Sequence, residues 1–225
     1  VKSVVIAAEK AGASAVDVAA DREIIEMAKE TTTLPVFVSS IVPEDLAAAV
    51  KAGADAIEVG NFDALYKKGM RMSAIEIIDI VKETLALIGK SNVFKCVTVP
   101  GHIDVSEQIE LAKALEEMGI DLIQTEGAAI ANAHSAGARG LLETAQVSIA
   151  NTIELVRNVE MPVMTASGIT TTTAAMAFAA GASAIGVGSC INKLNSEIEM
   201  IAMARAIVEC APKAVVSETK EEVIA

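Results

Sequence analysis

The stretch AGASAIGVGSC (180–190) decides the fold, because its first five residues already stand at 11–15. Four segments share one pattern: AGASAVDVAA (11–20), AGADAIEVGN (52–61), MGIDLIQTEG (118–127) and AGASAIGVGS (180–189). Each follows an Ala/Leu/Glu/Lys-rich helical stretch and leads into a short apolar run. Gly12, Gly53, Gly119 and Gly181 can take the left-handed conformation that closes a helix. The small residues after them let a strand pass close beneath that helix. Four matches at equivalent places read as four helix-to-strand junctions.

Between these lie strands with a different introduction: LPVFVSS (34–40), NVFKCVTV (92–99) and MPVMTAS (161–167). Helical stretches such as PEDLAAAVKAG (43–53) and DVSEQIELAKALEEMG (104–119) separate the two strand types. In the second, Asp104 and Glu107 stand at capping-box spacing. Alternating apolar strands and amphipathic helices mean βαβ units and a parallel sheet. Seven strands are counted, the first with only the helix VKSVVIAAEK (1–10) before it. The alternation calls for one more strand ahead of Val1, and eight βα units close a barrel of ~250 residues. The expected class is therefore α/β, a (β/α)8 TIM barrel whose first strand is missing from this chain. It forms one domain over 1–211, followed by a polar tail at 212–225. An open doubly wound sheet is the competing arrangement; no nucleotide-type glycine fingerprint follows the first strands, and the repeat runs evenly to the end. The chain opens without Met, so an upstream segment, including any targeting peptide, is expected.

Composition narrows the function. The 225 residues are 52% hydrophobic and 2% aromatic, with no Trp, and carry a formal charge of −12. Such a chain offers little base-stacking surface and repels polyanions, which argues against nucleic acid and anionic membranes as partners. Residues 161–192 hold no charge, but Pro162, Gly168, four consecutive threonines, Gly181, Gly186 and Gly188 interrupt them. That run reads as strand, buried helix, strand, and no membrane insertion is expected. Cys96, Cys190 and Cys210 are odd in number and widely spaced. A reduced compartment fits, and neither a disulfide framework nor a zinc or other metal site is indicated.

Spare sequence sits at the strand exits, in GNFDALYKKGMRMS (60–73), PGHIDV (100–105) and EGAAIANAHSAGARG (126–140). Barrel sites lie at these carboxyl ends. Aligning the repeats puts Asp17, Glu58, Gln124 and Gly186 at one position. If it faces inward, two carboxylates and an amide meet near the mouth, with a glycine leaving a gap opposite. Paired carboxylates push one pKa up and suit acid–base catalysis; the competing role is mutual hydrogen bonding inside the barrel. A second constellation joins Ser167 and Gly168 after the seventh barrel strand to Gly188 and Ser189 after the eighth. Backbone N–H groups free of obstruction by a Cβ suit a phosphate there, although tight turns alone would also use these glycines. Thr170 or Thr171 would cap the next helix, and Asn192 and Lys193 would add polar and positive contacts.

Other candidates stand alone. His102 and His134 fall in exit loops, and His102 joins Asp17, Glu58 and Gln124 as a candidate catalytic group. Lys95 lies within a strand; a Schiff-base role competes with a wall-facing, snorkelling one, and nothing nearby in sequence explains a depressed pKa. Lys67, Lys68 and Arg71 form the one basic cluster of the exit loops, a place to attract an anionic substrate or hold a protein partner. The tail is a second docking candidate.

The segments VDVAAD (16–21), IEVGNFD (57–63), VTVP (97–100), IQTEG (123–127), ASGIT (166–170) and GVGSCINKLN (186–195) resemble the family of hypothetical chloroplast open reading frame twenty-three. The resemblance covers nearly the whole chain. It implies a phosphate-binding TIM barrel in the plastid stroma or the cyanobacterial cytoplasm, and it supplies no reaction. The expected function is a barrel for a small phosphorylated metabolite or inorganic phosphate, with isomerase or lyase chemistry. A non-catalytic subunit of a plastid or cyanobacterial assembly is the first alternative. An FMN-binding barrel is the second, and otherwise no cofactor is expected.

Overall fold

The computed structural model describes residues 1–66, 68–127 and 133–212, so Lys67 and the tail from 213 lie outside the described residues. The chain runs α1 (Lys2–Ala11), β1 (Val16–Ala19), α2 (Arg22–Thr31), β2 (Val36–Ser40), α3 (Pro43–Lys51), β3 (Ala56–Val59), α4 (Asp63–Tyr66) and α5 (Ala74–Ile88). It continues with β4 (Phe94–Val99), α6 (Val105–Glu117), β5 (Leu122–Thr125), α7 (Gly137–Leu155), β6 (Val163–Thr165), α8 (Ala174–Ala179), β7 (Ala184–Ile185), α9 (Ser189–Asn192) and α10 (Glu197–Val208). Among the described residues the strands form one seven-stranded sheet in sequence order, every neighbouring pair parallel.

The repeat builds the amino end of this sheet. Gly12, Gly53, Gly119 and Gly181 have φ of 83°, 93°, 75° and 102°. Each donates its N–H to the carbonyl three residues back, and the following residue donates to the carbonyl five back, all at 2.9–3.1 Å. This is the Schellman closure, made four times. Two residues later the pattern places Asp55 and Asp121, whose carboxylates accept from the N–H of Val36 and of Lys95, both at 2.8 Å. Other helix ends depart from expectation. Asp104 is the N-cap of α6 but its side chain makes no capping bond, whereas Ser73 with Glu76 and Ser196 with Glu199 form complete capping boxes. The threonine run turns before α8, and Thr173, not Thr170 or Thr171, stands at its N-cap.

Alternation along the strands sorts side chains to two faces. Ile57, Val59, Val97, Val99, Ile123 and Val163 pack against Leu46, Ile77, Val81, Leu111 and Leu115 of the helices. Val16, Val18, Val36 and Val38 pack likewise against Val5, Ile25 and Ala28. The opposite face therefore carries Asp17, Ser39, Glu58, Cys96, Thr98 and Gln124 toward the interior of an α/β barrel. Among the described residues β1 and β7 do not pair, and the helices meet there instead. Lys10 bonds Glu197 at 2.8 Å, and Arg205 donates to the Lys10 carbonyl at 3.0 Å. No helix among the described residues is long and apolar enough to cross a membrane.

Candidate functional site

The interior network starts at Glu58, 4% exposed in the centre of β3. Its Oε1 accepts from Thr98 Oγ1 at 2.7 Å and from Gln124 Nε2 at 2.9 Å, and Gln124 also donates to Thr98 Oγ1 at 3.1 Å. Register explains the meeting: Glu58 stands beside Ser39 across β2, and Thr98 beside Gln124 across β5. Gly60 roofs the carboxyl so closely that a Cβ there would collide with both Glu58 Oε1 and Thr98 Oγ1. Gly186 lies against this network and not across from it. A Cβ at 186 would come within 3.2 Å of Gln124 Oε1 and 3.0 Å of the Ala166 Cβ.

Asp17 reaches the network through charge. Its Oδ1 accepts from Ser39 Oγ at 2.5 Å. Burial is the largest influence on Glu58 and the Asp17 charge the second, and together they raise its carboxyl to about 8. Asp17 is raised to about 6, by burial first and against the Ser39 hydrogen bond. Asp17, on the edge strand β1, is the more exposed of the two carboxyls, so the upward push is the stronger for Glu58. One proton between the two carboxyls near neutral pH is the consequence. Cys96, beside Glu58 in register, is pushed far up by burial and then by both carboxylates, so it stays a thiol.

His102 belongs to a different cluster at the mouth. Tyr66, at the end of α4, donates its hydroxyl to Glu126 Oε1, which also accepts from the Gly101 N–H at 3.1 Å. His102 Nδ1 stands 3.4 Å from the Tyr66 hydroxyl, with the two rings edge-on. The Arg71 guanidinium lies 4.4 Å over the Tyr66 ring. Burial first, then the Arg71 charge, hold His102 below its usual pKa, so its ring is neutral near pH 7. Sequence reading missed Tyr66 and Glu126. The available signals were that Tyr66 is the single tyrosine of the chain and that Glu126 follows directly on β5.

The glycine end lies at the exits of β6 and β7. Ser167 and Gly168 have φ of 72° and 76°, and Ser167 is one of two non-glycine residues with left-handed backbone among those described; Asn61 at 67° is the other. Both stand at the mouth, where strain of this kind concentrates at sites of function. Gly168 has a packing reason as well, since a Cβ would collide with the Thr144 carbonyl of α7. Gly188 has none: a Cβ there meets no atom within 4 Å. No described residue accepts from the N–H groups of Gly168, Val187 or Gly188. Ser189 opens α9, and Asn192 and Lys193 close it, all three exposed.

The sequence matches, over residues 1–218, a family model described as a protein of unknown function, DUF561. The chain belongs to the DUF561 family. A relative named uncharacterized protein ycf23, from Cyanophora paradoxa, is 41% identical over 196 residues, covering 87% of this chain and 79% of that one. Among solved structures, 3-hexulose-6-phosphate synthase from Salmonella typhimurium is similar with a TM-score of 0.64 at 14% identity, over 88% of this chain and 86% of that chain. Thiamine phosphate pyrophosphorylase from Pyrococcus furiosus is similar with a TM-score of 0.61 at 17% identity, over 93% and 88%. At these identities the likeness concerns the barrel fold of this DUF561 member.

The remaining candidates fall outside the Glu58 network. Lys95 Nζ pairs with Asp121 at 2.7 Å at the amino end of β4, which overturns a Schiff-base role and leaves the wall-facing one. His134 is exposed, and its backbone N–H donates to Glu143, the residue that also binds Ser135 and Arg139 at the start of α7. Lys68 and Arg71 are exposed in the 60–73 segment.

Proposed function

We propose that this protein is a small-molecule barrel enzyme that holds a phosphorylated ligand between the ends of β6 and β7 and moves protons with Glu58 and Asp17. The observation that carries the reading is Gly188: packing does not account for the glycine, and its N–H, with those of Gly168 and Val187, has no acceptor among the described residues. Unobstructed, unpaired N–H groups are what a phosphate requires of a backbone. Ser167 and Ser189 hydroxyls would add donors. The fold neighbours whose names include a phosphate ester support the reading without assigning a reaction.

The acid–base assignment follows from environment. Glu58, buried and beside a second carboxyl, retains its proton near neutral pH and is the acid. Asp17, more accessible, is ionised and is the base, with Gln124 fixing the orientation of Glu58. His102, neutral and bonded to Tyr66, faces a separate part of the mouth. Isomerase or lyase chemistry on a carbonyl or hydroxyl fits such a pair. The ycf23 name of the algal relative supports the plastid stroma or cyanobacterial cytoplasm as the compartment.

Calorimetric titration with inorganic phosphate tests the cradle. Wild-type protein binds and Gly188→Asp, folded to the same degree, does not; equal binding by both would overturn the site. A second reading, a non-catalytic partner subunit, has Met70 and Arg71 exposed on the 60–73 segment in its favour. Stoichiometric co-purification of the folded chain with another protein, without phosphate binding, would decide for it. An FMN phosphate would use the same cradle, and a yellow purified protein would decide for that.

A further inference from the structure

A cleft of about 250 Å³ opens at the carboxyl ends of β1, β2 and β3, on the side of the mouth away from the β6 and β7 exits. Its polar lining is Ser39, Ser40, Asp45 and Asn61, with Ala20 and Leu65 among the apolar walls. At this size it is smaller than an ordinary whole-ligand pocket, which runs to roughly 300–1,000 Å³, and suits one end of a longer molecule. Resting on the phosphate reading above, we infer that this cleft takes the neutral, polyhydroxylated end of the phosphorylated ligand.

The charge of the lining decides the class. Among the described residues no lysine, arginine or histidine lines the cleft, whereas Asp45 does, and Asp17 lies behind Ser39. A second phosphate or a carboxylate would meet two carboxylates without a counter-charge, which is costly. A hydroxyl group fits, because it both donates and accepts. Asp45 can only accept when ionised, and the Asn61 amide offers both roles. Ser39 already donates to Asp17, so its oxygen is left to accept. Ser40 is fixed from two sides, accepting from the Val42 N–H at 3.1 Å and reaching Asp45 Oδ2 at 3.4 Å.

The cleft also adjoins the proton network. Gly60 is part of its lining and is the residue that roofs the Glu58 carboxyl, and Ser39 joins it to Asp17. Asn61, the next residue, holds φ at 67°, which turns the chain at the rim. A ligand anchored by phosphate at Gly188 thus presents its hydroxyl-bearing carbons over Glu58 and Asp17. The substrate class is a phosphorylated polyol or hydroxy-carbonyl compound, and not a diphosphate or a phosphorylated acid.

The test uses the full chain, labelled with 15N, and three probes: D-ribose 5-phosphate, 3-phosphoglycerate and inorganic phosphate. Ribose 5-phosphate moves the Gly60 and Asn61 amides together with those of Gly168 and Gly188, and binds about tenfold or more tightly than 3-phosphoglycerate. Ala20→Phe, which fills the cleft, lowers ribose 5-phosphate affinity by about tenfold and leaves inorganic phosphate within about twofold. Asn61→Gly, which accepts the positive φ without strain, lowers it by roughly fivefold with the fold intact. Shifts confined to Gly168 and Gly188, equal affinity for 3-phosphoglycerate, cleft variants without effect, or no shift at Gly60 and Asn61 with any probe would each overturn the inference. Shifts at Gly60 and Asn61 with Gly168 and Gly188 silent would overturn the phosphate cradle and support the cleft.

Discussion

The two ends of the barrel treat the same repeat differently. At the amino end, Gly12, Gly53, Gly119 and Gly181 close four helices with the same pair of hydrogen bonds, and a Cβ at Gly12, Gly53 or Gly119 would meet nothing within 4 Å. Five residues later, at the interior position, the repeat diverges into Asp17, Glu58, Gln124 and Gly186, and there the contacts are crowded and polar. Repetition marks what the chain needs for geometry. Divergence marks where carboxyls are held with raised pKa, at a cost in stability that architecture alone would not call for.

That contrast can be broken by substitution at each end. The largest effect is expected at the mouth: Gly60→Ala drives a methyl into the Glu58 carboxyl and costs about 3 kcal/mol, a fall in Tm of roughly 6–12 °C. A variant as stable as wild type would show that Glu58 is not held beneath Gly60. At the amino end, Gly119→Ala strains a left-handed residue in open space and costs about 1 kcal/mol, read from denaturant unfolding, with phosphate affinity unchanged.

Glu58→Gln works in the opposite direction. Glu58 keeps its proton up to about 8 in the folded chain, against an ordinary value of 4.5. Between these values the unfolded chain binds fewer protons, so stability falls as pH rises through that window; below pH 4.5 both states are protonated and the effect vanishes. The raised Asp17 adds to the same slope up to about 6. Glu58→Gln, whose amide oxygen can still accept from Thr98 and Gln124, flattens the slope. At pH 8 it gains on the order of 1 kcal/mol or more, roughly 2–4 °C in Tm per kcal/mol. Parallel curves of Tm against pH for the two proteins would contradict the burial of an acid at this position. The smallest stability effect belongs to Gly188→Asp, within about 0.5 kcal/mol of wild type, since nothing packs there.

Architecture was legible because it is local. A helix closure, its glycine and the strand after it lie within ten residues, so AGASA and its relatives carried the alternation, the seven strands and their parallel order. Glu58 and Gln124 were legible for the same reason, being repeat equivalents. Thr98, which bonds both, stands on the other strand type and had no repeat to point to it. Tyr66 and Glu126 meet across 60 residues of sequence through the turn of α4, a contact no periodicity encodes. Local signals also misled at two helix starts. Asp104 has the capping-box spacing without the bond, and the Thr173 hydroxyl accepts from the Thr170 N–H where Thr170 or Thr171 was expected to cap α8.

The proposed anion binding at Gly188 is what separates the diverged end of the repeat from the constant one. A crystal grown in phosphate and resolved well enough to place the anion tests it directly. The expected result is a phosphate within hydrogen-bonding distance of the N–H groups of both Gly168 and Gly188, roughly 2.7–3.2 Å from nitrogen to oxygen. A well-ordered β6–β7 exit with phosphate bound elsewhere, or with the Gly188 N–H turned away from the mouth, would contradict it.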